Sequence, residues 1–160
     1  MESTAVTSDG GSTTAPLPRW VLLTCDGHRL GLPLDRVREI TTPRPVTRLP
    51  GCGPEVCGLV GLRGLVVTVC DLGVVLRLRP AAARPGHRLV FVDDGERPLA
   101  LAVEEVLRMA PGAADRAALD EDELRGMGLE PGDVLGVAEL AGHRALLLNP
   151  DALIERLLAA

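Results

Sequence analysis

The sequence predicts a mainly β protein: two similar five-stranded β-barrels packed together, with short helices and a C-terminal helix. Three observations carry this expectation. Short runs rich in Val and Leu are separated by two-residue joints such as Asp26-Gly27, Arg63-Gly64 and Asp94-Gly95, which are hairpin signals because Gly and Asp tolerate positive φ. The order of runs and joints occurs twice along 160 residues, and two small repeats of this kind are insecure alone. Apolar residues make up 46% of the chain but aromatic ones only 1%, so the core must be built from Val, Leu and Ala.

In order along the chain, residues 1–18 read as a disordered tail, Ser/Thr-rich and ending in Pro16 and Pro18. Trp20–Cys25 is a strand, Asp26-Gly27 a turn and His28–Leu34 the return strand, with Leu30, Leu32 and Leu34 alternating. Arg36–Thr42 is a short third strand or a turn followed by one. Thr42–Pro54 holds four prolines and two glycines and reads as a loop. Val56–Leu72 is a hairpin of two apolar runs meeting at Arg63-Gly64, and Asp71 caps a short helical segment ending before Pro80. Residues 80–86 are a linker. The pattern then restarts: Arg88–Asp93, a turn at Asp94-Gly95, Leu99–Val103, and Val106–Ala110. Residues 111–133 are acidic and Gly-rich, with a helical turn around Leu119–Leu124. Val134–Leu140 and His143–Leu148 form a hairpin around Ala141-Gly142. Asn149 caps a final helix whose first position is Pro150, where a missing N–H costs nothing, and Leu153, Ile154, Leu157 and Leu158 form its apolar stripe. The expected division is a first barrel over residues 19–79, a second over 87–148 and a helix over 149–158, within one domain spanning 19–158.

The two halves can be superimposed by sequence. Asp26-Gly27 matches Asp94-Gly95, an offset of 68 (26 to 94). Val56-x-Gly58-Leu59-Val60-x-Leu62-x-Gly64 matches Val134-x-Gly136-Val137-Ala138-x-Leu140-x-Gly142, an offset of 78 (56 to 134), as does Asp71 with Asn149. The difference is absorbed most simply by the acidic insert. This duplication is an internal control. Glycines and apolar residues that recur serve the fold, whereas Arg63 faces Ala141 in the second copy, so the hairpin does not need a cation there. That favours recognition as its role: a guanidinium can fork onto carbonyls or a carboxylate while its stem packs on apolar walls.

Composition excludes several function classes. The formal net charge is −5, and with only one Trp and one Phe there are no stacking platforms for single-stranded nucleic acid, so no nucleic-acid partner is expected. No apolar run reaches the length of a membrane span, and the first 18 residues have no basic start or apolar stretch. A cytoplasmic location without direct membrane insertion is expected, with the four cysteines reduced. Cys52 and Cys57 are spaced more loosely than a structural zinc pair and no second pair follows, while Cys25 and Cys70 lie in apolar runs. No nucleophile–base set or phosphate loop is present, so neither enzyme activity, cofactor nor metal is expected.

Taken together, Val37-Arg38-Glu39-Ile40, Pro50, Gly58-Leu59-Val60-Gly61-Leu62-Arg63-Gly64, Val69-Cys70-Asp71-Leu72, Val103-Glu104-x-Val106 and Leu135-Gly136 resemble the CheW-like domain in order and spacing, over about residues 19–158. The resemblance implies two intertwined SH3-like barrels. It implies an adaptor of bacterial chemotaxis that couples the cytoplasmic tips of chemoreceptors (methyl-accepting proteins) to the regulatory domain of the histidine kinase CheA, at membrane-anchored receptor arrays. It also places partner binding on Arg63 and Glu39, with Val37, Gly58, Leu62 and Val106 lining a groove between the barrels. Two departures stand out: Gly61 occupies a position that is usually Asn, and Val103-Glu104 stands where Val-Asp is usual.

Overall fold

A computed structural model describes residues 16–159; the tail expected over 1–18 lies outside the described residues up to residue 15. The strands are β1 (Arg19–Cys25), β2 (His28–Pro33), β3 (Val37–Thr41), β4 (Val56–Leu62), β5 (Leu65–Asp71), β6 (Arg88–Asp93), β7 (Pro98–Val103), β8 (Glu105–Pro111), β9 (Val134–Leu140) and β10 (His143–Leu148). Three α-helices accompany them: α1 (Leu72–Val75), α2 (Glu121–Gly126) and α3 (Pro150–Leu157). The mainly β expectation is met, and each strand lies where the apolar runs placed it.

The turns explain the hairpins. Asp26-Gly27, Arg63-Gly64 and Ala141-Gly142 all have positive φ at both positions (50° and 78°, 52° and 81°, 52° and 82°), the primed turn whose twist matches that of the strands. The joint at Asp94 differs from expectation. It is a loop from Asp94 to Arg97 rather than a two-residue turn, because the Asp94 carboxylate accepts from the backbone N–H of Glu96 and Arg97 at 2.9 and 2.7 Å and nucleates an Asx turn instead.

The strands form two five-stranded sheets, in the orders β9-β10-β2-β1-β8 and β3-β6-β7-β5-β4. The expected division into barrels over 19–79 and 87–148 is therefore corrected: each sheet combines the first hairpin of one repeat with the last three strands of the other. The reason lies in two parallel pairings, β10 with β2 (Leu146 opposite Leu30) and β5 with β7 (Thr68 opposite Leu99). Parallel neighbours cannot be joined by a tight turn, so consecutive hairpins are dealt to different sheets.

Each barrel is closed by the chain that follows its third strand. Thr47 exchanges two backbone hydrogen bonds with Leu59 on β4, both 2.8 Å, and Asp115 exchanges two with Val137 on β9, 2.9 and 3.0 Å. These bridges are equivalent in the two repeats. The extra residues of the second repeat therefore fall between Asp115 and Val134, in the acidic insert, as the sequence offsets indicate. Beside each bridge a bulge opens the strand, between Val56 and Gly58 in β4 and between Val134 and Gly136 in β9. Both glycines have φ +143°.

The core is aliphatic, as composition requires. One continuous cluster runs between the sheets and includes Leu30, Leu32, Val69, Phe91, Leu101, Leu146, Leu148 and Ile154. A second, smaller one fills the other face of the β1 sheet with Trp20, Leu22, Ala138, Leu140, Ala145 and Leu147. The alternation along β10 sends Leu146 and Leu148 to the first and Ala145 and Leu147 to the second. The single tryptophan is anchored by its indole N–H, which donates to the carbonyl of Gly112 at 2.8 Å.

Ion pairs fasten α3 across the sheets. Arg36 forks onto Asp151, Arg97 bridges Asp94 and Glu155, each at 3.0 Å, and Arg156 reaches Asp133 at 3.0 Å. Asp94 is held at about 2, below its ordinary 3.8, first by the two backbone N–H groups and then by Arg97. Asp93 is likewise lowered, chiefly by its hydrogen bonds from Arg38. A depressed carboxyl stabilises the folded state above its unfolded value, and the contribution is lost as pH falls toward the folded one. The melting temperature is expected to fall between about pH 4 and pH 2, and Asp94→Asn should flatten that decline. A pH titration of melting in which the variant shows the same slope as the wild type would refute the assignment.

Candidate partner-binding site

The β4–β5 hairpin ends at Arg63 and Gly64, on the seam where the β6 barrel closes. β3 and β4 are the two edge strands of that sheet. Arg63 spans the seam: its Nη2 lies 3.0 Å from Oε1 of Glu39 on β3, with side chains 79% and 25% exposed. An arginine with φ +52° is unusual for a side chain bearing a Cβ. Exposed ion pairs contribute about 0–1 kcal/mol, so stability does not account for a cation at this turn. Ala141 holds the same backbone geometry in the second repeat, with φ +52°, and confirms that the turn forms without one.

Of the residues expected at the site, the structure brings Arg63 and Glu39 into direct contact. Val37 on β3 and Leu62 on β4 are half-buried and border the central cluster, and so does Val106 on β8. Val106 belongs to the other barrel, where it pairs with Leu23 of β1. Gly58 is different. It is buried, and a Cβ there would lie 2.2 Å from the Thr47 carbonyl oxygen. Its role is to let the closing strand approach, and no side chain could replace it.

Three features of the site escaped the sequence reading. Leu65 and Val66, immediately after the turn, are 58% and 71% exposed. Aligning the repeats would have flagged them, because their counterparts are the polar His143 and Arg144. Arg44 donates from Nη1 to the carbonyl of Gly61 at 2.9 Å.

Among the described residues no three His, Cys, Asp or Glu side chains gather as a metal set. Burial pushes the Cys25 and Cys70 thiols up to about 12, which makes them poor nucleophiles. Among the described residues no helix is long and apolar enough to cross a membrane.

Two exchanged barrels presenting an exposed ion pair at a seam, with apolar residues beside it, define a docking module of the scaffolding kind. The chain belongs to the CheW-like domain family, whose model matches residues 19–158. It is similar to the chemotaxis protein CheW of Bacillus subtilis (strain 168), at 27% identity over 74 residues, 46% of this chain and 47% of that protein. The chain thus spans about half the length of that curated relative in the aligned stretch. Its fold is similar to the crystal structure of the scaffolding protein TtCheW from Thermoanaerobacter tengcongensis, with a TM-score of 0.71 and 17% identity, covering 83% of this chain and 89% of that one. Members of this family are scaffolding adaptors and not enzymes.

Proposed function

We propose that this protein is a non-catalytic adaptor that couples chemoreceptor tips to the regulatory domain of the histidine kinase CheA, working at membrane-anchored receptor arrays. The observation that carries this is the Arg63–Glu39 pair on the barrel seam, present in one repeat and missing from the other. Val37, Leu62 and Val106 supply an apolar border contributed by both barrels, suited to a helical tip lying between them. Family membership supports the adaptor role, and the Bacillus subtilis relative is named for chemotaxis.

The test is a reconstitution: kinase phosphorylation with receptor, with and without this protein. Coupling is expected to need the protein, and Arg63→Ala is expected to lose at least tenfold in complex formation. Melting of that variant should shift by no more than about 1 kcal/mol-equivalent. Unchanged pull-down of receptor and kinase by Arg63→Ala would remove Arg63 from the site. A protein that binds receptor but never recruits kinase would reduce the role to receptor binding alone.

A further inference from the structure

We infer that the outer face of the β4–β5 hairpin, with Arg44 at its edge, is the seat of an acidic amphipathic helix of the partner; this deepens the adaptor reading and rests on it. The argument comes from what covers the equivalent face in the other barrel. Cross-strand neighbours share a face. On β9 and β10 the pairs on the corresponding face, opposite the Trp20 cluster, are Glu139 with Arg144 and Val137 with Leu146. That face is roofed by the acidic insert. Leu124 of α2 is buried in the same cluster as Val137 and Leu146, and Glu123 forks onto Arg144, with Nη2 to Oε1 at 2.9 Å and Nη1 to Oε2 at 3.2 Å. The roof includes a short helix reading Glu121-Asp122-Glu123-Leu124, which buries its leucine and sets a carboxylate onto Arg144 beside it.

The β4–β5 counterparts are Gly61 with Val66 and Leu59 with Thr68. The loop of this repeat is too short to supply a roof. Val66 is the most exposed large apolar side chain among the described residues, and Leu59 and Thr68 are only half-buried, where Val137 and Leu146 are buried. At Gly61 a Cβ would meet nothing closer than the Leu65 carbonyl oxygen at 4.0 Å, so the surface there is a bare trough. Its edge is cationic. Arg44 has no carboxylate partner among the described residues; its contact is the Gly61 carbonyl. Arg63, the neighbouring cation, has Glu39 alone. An apolar trough rimmed by an uncompensated guanidinium fits a helix that presents an aliphatic side chain and carboxylates, the same chemistry α2 presents in cis.

The experiment uses the full chain with two purified probes measured separately: the helical cytoplasmic fragment of a chemoreceptor, and the kinase regulatory domain. Val66→Glu and Arg44→Glu are expected to weaken binding of the receptor fragment at least tenfold with unchanged melting, Arg44→Gln less than Arg44→Glu, and added salt is expected to weaken wild type more than Arg44→Gln. Val66 is 71% exposed, so Val66→Glu guards against a structural effect of losing Arg44. If both glutamate variants bind the receptor fragment like wild type while Arg63→Ala does not, the face is wrong and the adaptor reading stands. If the loss is confined to the kinase domain, the helical occupant is wrong. A wild-type protein that binds neither probe overturns the adaptor reading and this seat together.

Discussion

Gly58→Val is expected to prevent folding or to lower the melting temperature by roughly 10 °C or more, the largest effect of any single substitution considered. Two costs combine. The backbone at Gly58 has φ +143°, a region that side chains with a Cβ rarely occupy, and such strain costs on the order of 1–3 kcal/mol. The added Cβ would also sit 2.2 Å from the Thr47 carbonyl oxygen and 2.7 Å from Val46 Cγ1, so the closing strand would have to retreat and its two hydrogen bonds with Leu59 would lengthen or break. A total of about 4 kcal/mol follows, and in a chain of this size each kcal/mol moves melting by roughly 2–4 °C. The same strand carries the control. Gly61→Ala meets only open space and should melt like the wild type. Calorimetry of the pair decides the matter: equal melting of Gly58→Val and wild type would show that the closure tolerates a side chain.

Asp71→Ala is expected to cost about 3 kcal/mol. The Asp71 carboxylate is buried and accepts three backbone N–H groups, from Val74 at 3.2 Å, Ala81 at 2.9 Å and Ala82 at 2.8 Å. The first is an ordinary helix cap. The other two pull the chain after α1 back across the helix, where Gly73 lies so close under Arg79 that a Cβ would be 2.0 Å from its carbonyl oxygen. Removing the carboxylate leaves these donors without a partner, and each buried unpaired group costs about 1–3 kcal/mol. Asn149, the equivalent residue, accepts from Asp151 at 3.1 Å and donates from Nδ2 to the Gly132 carbonyl at 3.2 Å, both at exposed positions, so Asn149→Ala should cost about 1 kcal/mol, the ordinary value for a cap. Denaturant unfolding of both variants tests the ratio; equal losses would mean that the two bonds from the linker contribute nothing.

The linker shows where sequence reading stops. Residues 80–86 were expected to be a plain connection, yet Ala81 is buried and bonded to Asp71. Nothing in a run of alanines signals that, because the information lies in the carboxylate ten positions earlier. The strands were legible because period-two alternation and glycine turns are local. The pairing of strands was not, because the parallel contacts of β2 with β10 and of β5 with β7 join residues far apart in sequence. The site was legible in part. Arg63 stood out against Ala141 once the repeats were aligned, and Glu39 came with the family resemblance. Arg44 was hidden because its bond to the Gly61 carbonyl crosses from a loop to a strand, a contact that exists only after the barrel closes.

The exchange of hairpins between repeats also bears on how this chain is made. β1 and β2 wait for β8, β9 and β10, which lie at the far end of the sequence. During synthesis the first hairpin emerges without neighbours, and its buried leucines stay uncovered until the last strands leave the ribosome. Folding rates fall as contacts become more distant along the chain, and unpaired strands exposed in the interval favour aggregation. The β3-β6-β7-β5-β4 sheet, by contrast, lies wholly within residues 37–103, so it can form first and serve as a nucleus, and a chain released before β10 lacks only the sheet built on β1 and β2.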